Sequence, residues 1–205
     1  MSVHKSFERT HFLSYCQSLY KADSTYEYDS KQVDRLNRHR HVEPDSAEFL
    51  ANIATITKPN TVLEIGTSTG FSTLWLAYGL RHQAQYDFIS LDIDKSRSEA
   101  AHQHLQNTGL SDSVRLIVQD AFIFLNSNED VFDLVFLDAE RQFYIDYIEG
   151  LYNALDVSSV LIVDNVISHC DEVSEFLAEF TNDSRYICHT LDVGAGLFMA
   201  ARQEH

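Results

Sequence analysis

The stretch that most constrains this chain is Thr61 to Ser72, TVLEIGTSTGFS. The run Val62-Leu63-Glu64-Ile65 stops at Gly66. Three small residues follow, Thr67, Ser68 and Thr69, and Gly70 opens a run with helical character from Phe71 to Leu80. This pattern predicts a buried strand, a tight turn and a helix start. Glycines at 66 and 70 let the backbone take positive φ and approach a ligand closely. The first N–H groups of the helix, among them those near Ser72, lack intrahelical partners and face that ligand. In a doubly wound α/β sheet such a strand-to-helix turn is where nucleotide-like ligands bind.

The spacing narrows the ligand. A dinucleotide fingerprint needs G-x-G-x-x-G and a P-loop needs G-x-x-x-x-G-K-[ST]. This turn is Gly66-x-x-x-Gly70, with no Lys after it and an acid, Glu64, on the strand before it. A strand acid suits a cationic group better than a phosphate. The turn resembles motif I of the class I S-adenosylmethionine (SAM)-dependent methyltransferases.

Length and charge set bounds. A chain of 205 residues fits one domain with a sizeable core. No apolar run approaches the ~20 residues of a membrane span. The opening residues, MSVHKSFERT, lack the apolar region of a signal peptide. The expectation is a cytoplasmic protein with no membrane contact. Cys16, Cys170 and Cys188 are scattered and form no C-x-x-C, so neither a disulfide nor a zinc site is expected. Net charge is −16. Residues 1–45 hold seven of the 15 Lys/Arg and seven of the 31 Asp/Glu, which leaves eight and 24 for the rest. An acidic body disfavours nucleic acid, whose affinity comes largely from phosphate attraction. A small or basic acceptor is the easier partner.

Along the chain, the apolar spacing of His4 to Lys21 predicts an amphipathic helix, and the polar, tyrosine-rich stretch to Ser30 predicts a loop. A short helix is expected over Lys31 to His39. The cluster Arg35, Arg38, His39, Arg40 and His41 reads as a solvated face or as a border of the ligand cleft. Glu43-Pro44-Asp45 opens a helix to about Ile56, broken by Lys58-Pro59-Asn60. From Thr61 short apolar runs alternate with helical stretches, the pattern of a parallel sheet covered on both faces. Further strands are expected at Phe88–Leu91, Val114–Val118, Phe132–Leu137 and Val160–Val163. Helices are expected at Lys95–Asn107, Ala121–Leu125, Phe143–Leu155 and Asp171–Phe180. Tyr186–Leu191 and Leu197–Ala201 form a closing hairpin. The expected fold is therefore α/β: a Rossmann-like, doubly wound, seven-stranded sheet with a C-terminal antiparallel hairpin and extra N-terminal helices. Residues 1–205 form one domain, with 1–40 a helical lid segment and 41–205 the α/β core.

Acids recur at the strand ends. Asp92 ends the second strand, where a carboxylate can accept both ribose hydroxyls of a nucleoside. Asp94 is assigned the cap of the helix at Lys95. Asp120 follows the third strand. It can accept from an adenine amino group, with Phe122 packing near the ring, and it also fits an N-cap. Asp138 and Asp164-Asn165 end the next two strands. If those strands are neighbours, two carboxylates and an amide meet at the edge that carries the glycine turn. Three hard oxygen ligands suit Mg²⁺, Ca²⁺ or Mn²⁺. Acids are also common at strand ends as simple caps.

Taken together, LEIGTSTGFSTLWLA, SLDID, FDLVFLDAERQFYIDY and LIVDNVISH, in this order between about His41 and Ala201, resemble the metal-dependent O-methyltransferases, the group of catechol and caffeoyl-CoA O-methyltransferases. The resemblance implies SAM at Glu64, Gly66, Ser72, Asp92 and Asp120, with Thr67, Ser68, Gly70, Ala121 and Asp138 completing the cofactor contacts. It implies a divalent cation, Mg²⁺ first, at Asp138, Asp164 and Asn165. It also implies an N-terminal segment over the acceptor site and a possible homodimer.

One residue departs from the pattern. The family carries Lys three residues after the first metal Asp, as general base; this chain has Arg141. Arginine stays protonated and cannot abstract a proton. Arg141 is expected instead to hold an anionic acceptor group or to stabilise an alkoxide. His169 is the candidate replacement base, with a helix-entry role as its alternative. The expected activity is SAM-dependent O-methylation of a small hydroxylated molecule. The alternatives are methylation of a modified tRNA nucleotide, with Arg35, Arg38, Arg40 and Arg141 on phosphates, and a non-catalytic SAM-binding protein.

Overall fold

The structure is a computed structural model that describes residues 9–29 and 41–204, with side chains outside 23–29. Seven strands form one sheet: β1 (Thr61–Ile65), β2 (Asp87–Asp92), β3 (Arg115–Val118), β4 (Leu134–Leu137), β5 (Val160–Val163), β6 (Tyr186–Leu191) and β7 (Leu197–Arg202). Their spatial order is β3-β2-β1-β4-β5-β7-β6. β1 to β5 run parallel, and β7 lies antiparallel between β5 and β6. The expected Rossmann-like sheet with its closing hairpin is what forms, and strand ends fall within a residue or two of the expected ones.

The register brings the functional strand ends together. Ile65 pairs with Leu91 on one side and with Leu137 on the other, and Leu137 pairs with Val163. The residues that follow, Gly66, Asp92, Asp138 and Asp164, therefore share one rim. The order reverses at β1, with β2 on one side and β4 on the other, which opens the crevice where such sheets bind ligands.

Strand side chains alternate between two cores, as a period of two requires. Leu63, Ile65, Val135, Leu137, Leu161 and Val163 face one core. It is closed by α5 (Ala121–Ser127), α6 (Tyr144–Ala154) and α7 (Cys170–Thr181). Val62, Leu134, Phe136 and Ile162 face the other, under α2 (Pro44–Thr57) and α3 (Phe71–Leu80). α3 is buried along its whole length, packed against the sheet and against α2. A Cβ on Gly79 would lie 2.5 Å from the Ala51 oxygen, so this glycine sets how closely α2 and α3 approach. α4 (Lys95–Thr108) follows β2 and ends at Gly109 in a left-handed cap. α2 begins at Pro44 as expected and ends at Lys58, also left-handed, before Pro59.

The leading helix differs from expectation. α1 runs Arg9–Asp29, so the stretch after Lys21 is helix rather than loop. Lys21 to Asp29 contains neither Gly nor Pro, so nothing in it breaks the helix. It lacks an apolar stripe, and that absence had suggested a loop. Phe12 is fully buried, stacked on Tyr78 at 3.9 Å and edge-on to Trp75 at 5.2 Å. Burial of one such ring stabilises by about 1.5–3 kcal/mol. The expected start at His4, the helix over 31–39, and Arg35, Arg38, His39 and Arg40 lie outside the described residues. Cys16, Cys170 and Cys188 are all free thiols. Among the described residues no helix is long and apolar enough to cross a membrane.

Candidate active site

A cleft of about 480 Å³ opens along the carboxyl rim of β1, β2, β4 and β5. Gly66, Ser68, Asp92, Asp120 and Ala121 line one part of it, and Asp138, Arg141, Asn165 and His169 another. Glu64, Thr67, Gly70, Ser72 and Asp164 stand behind that lining.

The glycine turn is held by backbone bonds. The N–H groups of Gly66 and Thr67 both donate to the Leu91 oxygen at 2.9 Å. Gly66 has φ +106, and a Cβ there would sit 2.1 Å from the Asp138 oxygen. Gly70 has φ +89 and abuts Ala101. Both glycines are thus required by backbone shape and close approach. Ser68 is left-handed at φ +47, without a glycine's freedom. Its N–H donates to Asp92 Oδ2 at 2.7 Å, and Asp92 Oδ1 accepts from the Asp94 N–H at 2.8 Å. Ser68 Oγ is buried with no hydrogen-bond partner among the described residues, an orphaned hydroxyl at the cleft wall. Such a group fits a polar ligand.

Glu64 is fully buried and accepts from Ser72 Oγ and Thr73 Oγ1 at 2.5 Å and from Ser90 Oγ at 2.6 Å. Burial pushes its carboxyl up to about 7, against the opposing effect of those hydroxyls. Its carboxylate ties β1 to β2 and to the first turn of α3. It shapes the turn from behind, and so does Thr67, bonded to Ser90 Oγ at 2.5 Å.

Asp94 caps α4 as expected, accepting from the Ser96 and Arg97 N–H groups. Asp120 lines the cleft and also caps α5, accepting from the Ile123 N–H at 3.1 Å. Phe122 is 49% exposed and outside the lining. The cleft lining includes instead the apolar or aromatic side chains of Ile93, Phe143 and Tyr147, which sequence reasoning missed. Ile93 had a signal: an apolar residue between two acids at a strand end. His41 also lines the cleft, as one reading of the basic cluster held. It bonds Thr69 Oγ1 at 2.7 Å and stacks on Phe71 at 4.8 Å.

At the other part of the cleft, Asn165 Nδ2 lies 3.1 Å from Asp138 Oδ1 and 3.1 Å from Asp164 Oδ2. Asn165 is left-handed at φ +65, a conformation that asparagine adopts more readily than other residues with a Cβ. Asp164 is buried, and Ser46 Oγ reaches its other oxygen at 3.5 Å. Burial, then the neighbouring Asp138 charge, pushes the Asp164 carboxyl up to about 8. Among the described residues no group of three or more His, Cys, Asp and Glu forms a metal cluster. The donor set is two carboxylates and an amide. The amide's ends have the same shape, so a half-turn would present its oxygen to the space between the carboxylates. Hard oxygens and an acid strained by its neighbour fit a divalent cation.

Arg141 lines the same part of the cleft and is 8% exposed. Its Nε donates to Glu172 Oε2 on the first turn of α7 at 3.1 Å. The spacing of Arg141 to Glu172 in the chain gave no sign of this pair. His169 lies at the start of α7, its Nδ1 2.8 Å from Ser168 Oγ.

A family model for O-methyltransferases matches residues 17–203. The chain belongs to the O-methyltransferase family. Within the family, a relative named catechol O-methyltransferase from Mycobacterium tuberculosis is 35% identical over 127 residues, which are 62% of this chain and 57% of that protein. The match thus spans less than two thirds of that relative's length. Among solved structures, an O-methyltransferase from Bacillus cereus in complex with SAH superposes with a TM-score of 0.76 at 23% identity, covering 93% of this chain and 91% of that one. Cofactor-bound Rv0187 from MTB superposes with a TM-score of 0.75 at 26% identity, covering 93% and 90%. This O-methyltransferase-family chain therefore shares its fold with proteins captured holding cofactor.

Proposed function

We propose that this chain is a SAM-dependent O-methyltransferase that acts on a hydroxyl of a small molecule with the help of a divalent cation. The observation that carries the reading is one continuous cleft. It joins the glycine turn and Asp92 to the convergence of Asp138 and Asn165. The family match, the SAH complex of the Bacillus cereus protein and the name of the mycobacterial relative support it.

When bound, SAM supplies an electrophilic methyl group and the cation lowers the pKa of a hydroxyl. The chain's own residues bind and orient. Asp92 accepts from ribose hydroxyls, and Asp120 and Ala121 flank the base, with Ile93, Phe143 and Tyr147 giving apolar contact. Backbone N–H groups at the Gly66–Gly70 turn and the Ser68 hydroxyl meet the polar part of the cofactor. Asp138, Asp164 and Asn165 hold the cation, Mg²⁺ first. Holding the two reactants in line supplies the proximity and orientation that the transfer needs. Residues 1–40 serve as a lid: the Tyr20 hydroxyl bonds Glu43 Oε2 at 2.7 Å, and its ring lies 5.6 Å from that of Phe71, beside the turn.

Two measurements test this reading. Calorimetry should show SAM or S-adenosylhomocysteine binding, with NAD and ATP binding poorly. Chelation should stop methyl transfer to a catechol and leave cofactor binding largely intact. Full turnover in a chelator would place the chain with metal-independent methyltransferases. The net charge of −16 favours a small acceptor over tRNA.

A further inference from the structure

Arg141 and Glu172 are the feature that the reading above leaves unused. Arg141 is a cation almost wholly removed from water, yet it lines the cleft on the loop that follows Asp138. Among the described residues the one hydrogen bond it makes runs from Nε to Glu172 Oε2. A guanidinium carries five N–H donors in a rigid fork, so four, on its Nη atoms, remain beyond the bond to Glu172. That fork matches oxygen anions and cannot take up a proton at any working pH. Glu172 is 43% exposed and sits in the first turn of α7, where the helix dipole favours its charge. It fixes the guanidinium from behind, so the donors are already oriented when an acceptor arrives.

The groups around Arg141 are Asp138 and Glu140 on its own loop, Glu172 and His169 on α7, Asp164 at the end of β5, and the Tyr144 phenol. The Tyr144 phenol, which donates to the Ala139 oxygen at 3.3 Å, is held well above its ordinary value by burial. It is no base at neutral pH. The cation on this wall therefore offers stabilisation for a negative oxygen, and the phenol beside it offers no base.

We propose that Arg141, positioned by Glu172, is an oxyanion-binding residue, and that the acceptor class is therefore acidic hydroxyls, such as electron-poor phenols and catechols, which react as their oxyanions. This rests on the O-methyltransferase reading and deepens it. The acceptor proton leaves to water before transfer. The transfer then forms an O–C bond at the anionic oxygen and breaks the methyl's C–S bond, whose electron pair stays on sulfur. Arg141 is a catalytic residue in this scheme, because it touches the reacting oxygen. Glu172 acts through it.

The test uses the full chain with Mg²⁺ and two probes, catechol and 4-nitrocatechol, whose ionised form absorbs in the visible. In the S-adenosylhomocysteine complex, wild type should bind 4-nitrocatechol as its anion at a pH below the free compound's pKa, and the spectrum reports this without turnover. Arg141→Gln should lose that signature and about 10²-fold in kcat, with KM less affected. Glu172→Gln keeps an acceptor for Nε and should weaken anion binding about tenfold at unchanged cofactor affinity. Arg141→Lys keeps the charge without the fork, and it should retain part of the signature. In wild type the rising limb of kcat/KM against pH should move to lower pH for the nitro compound, since it belongs to the acceptor. A limb at the same pH for both probes, or a wild-type spectrum in Arg141→Gln, overturns the assignment. A fall in melting temperature alone in both variants, with the anion spectrum intact, reduces the pair to a structural ion pair. No methyl transfer to either probe by wild type removes the O-methyltransferase reading itself, whereas transfer that ignores Arg141 removes only this inference.

Discussion

At the Gly66–Gly70 part of the cleft, the acids are met by donors from the chain itself. Glu64 takes three hydroxyls, and Asp92 takes two backbone N–H groups. At the Asp138–Asn165 part, two carboxylates converge on a single amide, and one of them is pushed up to about 8. The first region is complete as a scaffold and needs a ligand only to fill it. In the second, one amide is shared between the two carboxylates, and burial beside a like charge favours the protonated form of Asp164. On the function proposed above, the first region holds the cofactor and the second serves the reaction.

The sharpest way to break this contrast is Asp164→Ala. If the second region serves only the reaction, methyl transfer should fall by about 10³-fold or more while calorimetry gives near wild-type cofactor affinity, because loss of an essential ion forfeits several kcal/mol of transition-state stabilisation. Equal loss of both would merge the two regions into one. Gly66→Ala probes the other side. Its Cβ would collide with the Asp138 oxygen at a φ that alanine resists. Unfolding in urea should show a loss of about 3 kcal/mol or more, with cofactor binding lost as well. An unchanged midpoint would mean that the turn relaxes freely.

Much of this contrast is legible in the sequence, and its limits have physical causes. Strands buried on both faces read as continuous apolar runs, so β1, β4 and β5 and the acids that end them stand out. Which donors answer Glu64 does not read out so directly. Ser72 lies on the same turn, but Ser90 reaches Glu64 only because the two residues pair across β1 and β2. The Arg141–Glu172 pair depends on how α7 docks against the loop after β4. The extent of α1 is not legible in the sequence because a helix whose first turns are anchored by Phe12 and Cys16 can continue without an apolar stripe. Phe122 was placed at the cofactor from its position after Asp120 alone, but the face of a seven-residue helix is settled only by packing.

Smaller effects sharpen the contrast. Asp92→Ala should weaken cofactor binding by about 1.5–3 kcal/mol, measured by calorimetry, through loss of charge-assisted hydrogen bonds. It also removes the acceptor of the Ser68 N–H, so part of the loss should appear as faster amide exchange at that position. Unchanged affinity would take Asp92 out of the site. The pH response of Glu64 is the subtlest effect. Its carboxyl titrates near 7 in the folded chain and near 4.5 otherwise, so the native state holds its proton more tightly. Stability should therefore fall as pH rises from about 4.5 to about 7, by on the order of 3 kcal/mol, and level off above. Glu64→Gln should flatten that decline between urea midpoints at pH 5 and pH 8. A wild type with no such slope would show that the three hydroxyls fully compensate burial.

Trp75 is the only tryptophan in the chain. It lies buried on α3, edge-on to Phe12 of the leading helix at 5.2 Å. Its indole emission is consequently a label-free optical gauge of whether that helix is seated. Lifting α1 would let water reach the ring and shift the emission to longer wavelength, and reseating would shift it back. Titrating cofactor and acceptor in a fluorimeter would then report, in real time and on unmodified protein, whether either ligand changes the seating of α1.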